Sequence, residues 1–240
     1  MENKQNFWLL IMLANLFSTI SVGQLPNILP KNEFGLLIIH TKAAYQQTIL
    51  NDSFKKMVAV KDIISPLNTN FIYATTNNFT HTILYKNPQV YLRLAAVKAL
   101  QHVCNDLKKQ GLAIKIFDAY RPYRVTKKMW QIVPDDRYAA NPAKGSGHNR
   151  GIAVDITLIN DKTGNELAMP TAFDDFTEKA HHNYMQLDSV VIYNRQLLKT
   201  VMQKNGFIAL DTEWWHYYLP NSAKYELLDF NFKQMNKLVK

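Results

Sequence analysis

Three of the chain's eight glycines fall within seven residues, in Gly145-Ser146-Gly147-His148-Asn149-Arg150-Gly151. Such a stretch admits backbone conformations closed to other residues and lets a ligand approach the chain closely. It runs straight into an alternating segment, 151–158. There Ile152, Val154, Ile156 and Leu158 form one face of a strand, and Gly151, Ala153, Asp155 and Thr157 form the other. The second face is small apart from Asp155. An acid on an otherwise apolar strand is costly to bury without a cation or hydrogen bonds to compensate it. His148 and Asp155 thus read as a loop ligand and a strand ligand seven positions apart, both facing the side lined by Gly151 and Ala153.

Around this segment the chain of 240 residues, 47% hydrophobic and 20% charged, has ordinary globular proportions and fits one domain. Residues 7–17 form an apolar run preceded by Lys4 and followed by the small residues Ser18, Ser21 and Gly23. Residues 1–23 are therefore expected to be a secretory signal peptide, and the protein to be exported, periplasmic or secreted. The run is too short to span a bilayer, and no later segment is long enough, so no integral membrane span is expected. Residues 24–240 remain as one domain, with 24–65 as an N-terminal extension. Cys104 is the only cysteine, which excludes an internal disulfide and cysteine-rich zinc sites, and its place in a helical pattern suggests a small core residue.

The formal charge of +9 could suit an anionic partner, but the basic residues are scattered and no aromatic-interleaved basic motif is present, which argues against nucleic acid. Any catalytic metal must then be held by His, Asp or Glu.

After Pro88, Leu92, Ala96, Ala99, Leu100, Val103 and Leu107 recur at helical spacing, ending at Lys108-Lys109 and Gly111. Residues 112–117 alternate as a strand that delivers Asp118-Ala119-Tyr120-Arg121-Pro122 to its end. A second helix is predicted over 189–205, with Val190, Tyr193, Leu197, Leu198 and Val201 inward and Gly206 as its cap. Residues 207–210 and 214–219 read as strands. Helices and strands alternate without regular βαβ spacing, so the expected fold class is α+β.

Near the C-terminus, Glu213-Trp214-Trp215-His216 sets an acid three residues before a histidine. On a regular strand the two would face opposite ways, so sharing one site requires Glu213 to sit on a turn or bulge before the strand. His148, Asp155 and His216 together supply two imidazoles and one carboxylate, the number of protein ligands that leaves a tetrahedral zinc one open position, with Glu213 left over as a base. Taken singly, each residue has a plainer reading: a satisfied histidine, an Asp155 that caps a turn, a tryptophan pair in the core.

These segments resemble the zinc D-alanyl-D-alanine dipeptidases of the vancomycin-resistance type, within the larger group of D,D- and L,D-peptidases that share S-x-H-x-x-G-x-A-x-D and E-x-W-H. The first motif runs here from Ser146 through His148 and Gly151 to Asp155, and the second is Glu213-Trp214-Trp215-His216. Asp118-Ala119-Tyr120-Arg121-Pro122, the Tyr73-Ala74-Thr75 segment ending in Asn78-Phe79-Thr80, and Phe173-Asp174 followed by Glu178 and His181-His182 match three further family blocks. The resemblance implies one Zn²⁺ per chain on His148, Asp155 and His216, with Glu213 as general base and acid and Arg121 stabilising the oxyanion. It implies a small dipeptide substrate, its ammonium held by Asp174 and Tyr73 and its carboxylate by Ser146.

The expected architecture is a small, mostly antiparallel sheet flanked by helices, with the zinc site in a cleft on the sheet. The implied activity is zinc-dependent hydrolysis of D-Ala-D-Ala in cell-wall peptide metabolism. A D,D-carboxypeptidase or other murein peptidase, or a non-catalytic zinc-binding module, is the alternative. For Asp174 the alternative is an acid at the N-terminus of a helix over 176–179. His40, His81, His102, His181 and His182 read as surface residues without a role. The oligomeric state is not legible in the sequence.

Overall fold

The computed structural model describes residues 29–240; the expected signal peptide at 1–23 lies outside them. In chain order the elements are β1 (Ile38–Ile39), α1 (Lys42–Ile49), β2 (Met57–Ala59), β3 (Asn68–Thr69), β4 (Tyr91–Arg93), α2 (Leu94–Lys108) and β5 (Leu112–Asp118). They continue with α3 (Tyr123–Ile132), α4 (Gly147–Arg150), β6 (Ala153–Asn160), α5 (Ser189–Lys204), β7 (Ile208–Ala209), β8 (His216–Tyr218), β9 (Leu227–Leu228) and α6 (Phe232–Val239).

The α+β expectation holds. A five-stranded sheet of order β3-β5-β6-β8-β7 forms the centre, and only the edge pair β3–β5 is parallel. Ile152, Val154, Ile156 and Leu158 are all fully buried and share one core with residues of α2 and α5, including Leu100, Val103, Leu198 and Met202. Because neighbouring residues of a strand face opposite ways, Ala153, Asp155 and Thr157 look away from α2 and α5. That second face carries the site.

β5 and β6 pair in register from Leu112↔Asn160 to Ile116↔Ile156, and then the ladder shifts so that Asp118 stands opposite Asp155. Phe117 is the extra residue of a bulge, which re-aims the end of the strand. An unbroken ladder would have set Phe117, not Asp118, against Asp155.

Two helices differ in detail from their sequence patterns. α2 buries Ala96, Val97, Leu100, Val103 and Leu107, but Leu92 belongs to β4, because 91–93 pair antiparallel with β2 before the helix starts. α5 has the predicted extent yet turns Asn194, Arg195, Leu198, Val201 and Met202 inward, leaving Val190 56% and Tyr193 64% exposed. The apolar residues alone misassign this face. Arg195 is buried because its guanidinium donates to the carbonyls of His181 and Tyr184, and Asn194 because its amide donates to that of Ala168.

Residues 29–65 are integral to the fold. β1 pairs with β9, and Ile39, Tyr45 and Met57 join a second core with Tyr91, Tyr120, Leu228 and Phe232. Arg93, wholly buried, ties these parts together by donating to the carbonyls of Lys55, Arg150 and Glu226. Among the described residues no helix is long and apolar enough to cross a membrane. Cys104 is half-buried against the main core, where burial pushes its thiol up to about 11.

Candidate active site

The glycine-rich stretch forms the single turn α4 instead of an open loop. Ser146 is its N-cap: its hydroxyl accepts from the Asn149 amide at 3.2 Å, while the Asn149 side chain accepts from the Ser146 amide at 3.0 Å. Gly151 ends the turn with φ 69°, a left-handed conformation that glycine adopts without strain. A Cβ on Gly147 would come within 2.8 Å of the Ala153 Cβ, so the turn can lie this close to β6 only with glycine there. Asn149, fully buried, donates to the Arg121 carbonyl and to Thr126 Oγ1, tying the turn to the start of α3.

This packing aims His148. Its Nδ1 lies 2.7 Å from the Ala119 carbonyl oxygen, which can only accept, so Nδ1 carries the proton and Nε2 of the neutral ring keeps its lone pair. That Nε2 stands 3.3 Å from Asp155 Oδ2 and 3.2 Å from His216 Nδ1. His216 Nδ1 is 2.8 Å from Asp155 Oδ1, the two residues being direct partners across β6 and β8. The three ligand atoms all lie within 4.8 Å of one another. Two ring nitrogens and a carboxylate meeting at such short range, with one nitrogen's proton already committed elsewhere, form a donor set that fits a divalent cation, and the Ala119 bond is the kind that orients a ligating histidine.

The turn required before β8 is present. His216 N donates to the Glu213 carbonyl at 3.3 Å, and the ladder begins only at His216, so the strand is shorter than the predicted 214–219. Glu213 Oε2 comes 3.9 Å from His216 Nδ1. Burial pushes the Glu213 carboxyl up to about 7, partly opposed by His216.

Arg121 is buried at the cleft wall, with Nε and Nη2 donating to Asp118 Oδ2 at 3.0 and 2.7 Å. Tyr85 donates its hydroxyl to the same carboxylate, and the guanidinium carbon lies 5.3 Å above the Tyr73 ring. Among the described residues Arg121 Nη1 has no acceptor. Across the cleft, Asp174 takes a left-handed φ of 62° on a turn. The chain after it forms only a short helical turn, Glu178–Ala180, whose N-cap is Thr177, so Asp174 does not stand at the N-terminus of a helix over 176–179. Tyr73 donates to Asp174 Oδ1 at 3.1 Å, while Oδ2 is buried without a partner, and burial pushes this carboxyl up to about 8.

All eight residues singled out by sequence, namely Tyr73, Arg121, Ser146, His148, Asp155, Asp174, Glu213 and His216, line one cleft of about 320 Å³. Asp118 and Tyr85, which hold Arg121, were not assigned; Asp118 stands three residues before Arg121 inside a matched block, but nothing local marks Tyr85. Trp214 and Trp215 are buried, and Trp215 also lines the cleft. His40, His81 and His102 are exposed and His181 half-buried, all outside the cleft. His182 is a correction: its ring nitrogens are buried without partners beside Tyr217, and burial pushes its pKa down to about 4.

Three convergent ligand atoms with a raised carboxyl and a braced guanidinium beside them are the parts of a metallopeptidase centre. The family model for D-Ala-D-Ala dipeptidases, peptidase family M15, matches residues 53–236, and the chain belongs to that family. It is 34% identical to the D-alanyl-D-alanine dipeptidase of Escherichia coli (strain K12) over 177 residues, 74% of this chain and 91% of that one. It is also 27% identical over 186 residues to that of Enterococcus faecium, covering 67% of this chain and 92% of the relative.

Proposed function

We propose that this chain hydrolyses D-Ala-D-Ala using one Zn²⁺ held by His148, Asp155 and His216. The observation that carries the reading is the unpaired Oδ2 of Asp174 in the same small cleft as the ligand trio, Glu213 and Arg121. A buried acid with an empty acceptor is suited to an ammonium group, and a free α-amine at that end describes a substrate that stops there. When bound, the ion supplies Lewis-acid chemistry, polarising a carbonyl and acidifying water.

The protein's own groups do the rest. The Asp174 carboxylate pairs with the substrate's ammonium, and Tyr73 keeps Oδ1 occupied so that Oδ2 faces the ligand. Ser146, whose oxygen already accepts from Asn149 N, retains its hydroxyl proton for the substrate's carboxylate. Glu213 takes a proton from the attacking water and returns it to the departing amine, a task suited to a carboxyl whose pKa lies near 7. Arg121 Nη1 donates to the oxygen on which negative charge develops, and the Asp118–Tyr85 brace holds it there before substrate arrives.

A D,D-carboxypeptidase reading is disfavoured because a longer chain would bury the Asp174 carboxyl against an uncharged amide. A non-catalytic module has no use for Glu213 and Arg121 in these positions. The apolar run at 7–17 supports export to the cell envelope, where wall peptides would be met.

Zinc-loaded protein should release alanine from D-Ala-D-Ala and leave a muramyl pentapeptide intact; trimming of the pentapeptide without dipeptide cleavage would overturn the assignment.

A further inference from the structure

Two separate loops contribute aromatic rings to the cleft beside Asp174. Tyr138 comes from the chain between α3 and α4, Phe176 from the loop that carries Asp174, and both line the cleft. Their ring centroids are 4.8 Å apart at 64°, an edge-to-face contact between the two loops. Phe79, from a third loop, sets its ring 5.7 Å from Phe176 and 6.4 Å from Tyr138. It also packs edge-on against Tyr73 at 6.2 Å, and Tyr73 is the residue bonded to Asp174. A run of rings therefore connects Tyr73, whose hydroxyl bonds Asp174, through Phe79 to the Tyr138–Phe176 contact, which puts that contact on the Asp174 side of the cleft. Phe176 is backed by Trp215 at 6.0 Å, two residues from the Glu213 turn.

We infer that the Tyr138–Phe176 pair is a specificity-determining clasp that excludes peptides extended beyond the substrate's free amine. This rests on the dipeptidase reading above and adds a second barrier to it. Asp174 rejects an extended peptide because an amide cannot replace an ammonium as its ion-pair partner; the clasp rejects it because added residues must pass between two touching rings. The two barriers are separable, since Tyr138 is 38% exposed and can be shortened without opening the core or touching Asp174.

The test compares D-Ala-D-Ala with tri-D-alanine, its N-terminally extended form, in wild type, Tyr138→Ala, Phe176→Ala and Tyr138→Phe. The clasp predicts that each alanine variant raises the tripeptide-to-dipeptide ratio of kcat/KM at least about tenfold, while Tyr138→Phe, which keeps the ring, stays within about twofold of wild type. The ratio should remain below unity in every variant, because Asp174 still prefers the ammonium. Calorimetric binding of both peptides to the same set in a Glu213→Gln background gives the ratio without turnover. Wild type that cleaves neither peptide would overturn the dipeptidase reading, and the binding ratio would still judge the clasp. Alanine variants that fold as wild type does, yet leave the ratio unchanged in both assays, would overturn the clasp.

Discussion

Asp118 stands directly opposite Asp155 across β5 and β6, one position later than an unbroken ladder would place it. The bulge at Phe117 thereby sets Asp118, Asp155 and His216 in a row across three strands. Two carboxylates side by side repel, and each is compensated differently: Asp155 by the two histidines, Asp118 by Arg121 and the Tyr85 hydroxyl. The acid that aims the guanidinium and the acid proposed to hold the metal are thus neighbours.

Replacing Arg121 by Leu should lower kcat by about a hundredfold or more, since it removes a donor aimed at the developing charge. Asp118→Asn should lower kcat by less and leave zinc content unchanged, because Arg121 remains but loses its charged anchor. Steady-state kinetics with metal analysis checks both; an Asp118→Asn protein with wild-type kcat would show that the brace is not needed.

Glu213→Gln should retain one zinc per chain and lose activity by about a hundredfold or more, the usual range for removing a positioned base. Stripping the metal with a chelator should abolish activity in the wild type, and added Zn²⁺ should restore it. Loss of metal from the Gln variant would make Glu213 a ligand.

Asp174→Asn should raise KM steeply and also change how stability responds to pH. The Asp174 carboxyl has its pKa near 8 in the folded, substrate-free protein, above its ordinary value near 4. The folded state therefore holds this proton more tightly than the unfolded one, and the resulting stability is present at low pH and lost as pH rises toward and through 8. Wild type should lose Tm relative to Asp174→Asn on going from about pH 5 to about pH 9, by roughly 3 °C or more. Parallel melting curves for the two proteins would contradict a raised Asp174.

Arg93→Leu should destabilise the fold without altering the cleft's chemistry. It would orphan the part-buried carbonyls of Lys55, Arg150 and Glu226, at up to about 1–3 kcal/mol for each acceptor left unsatisfied. Chemical denaturation would read the loss; a variant within about 1 kcal/mol of wild type would mean that water replaces the guanidinium.

The elements and ligands that could be read from sequence are those whose signal is local. Ile152, Val154, Ile156 and Leu158 announce a strand at period two, and Ala96, Leu100, Val103 and Leu107 a helix. His148 and Asp155 lie on adjoining short elements, and Glu213 and His216 on one turn, so their residue types and spacing already confine where they can point. Tertiary structure alone decided how those two pairs meet, through the register of β6 with β8. It also decided that Phe117 is bulged out, that α5 buries Arg195 instead of Tyr193, that Tyr85 reaches Asp118, and that Asp174 keeps an oxygen unpaired. Each of these depends on a partner far along the chain, and a polar group's burial is decided by whether that partner arrives, which no periodicity in its own neighbourhood records.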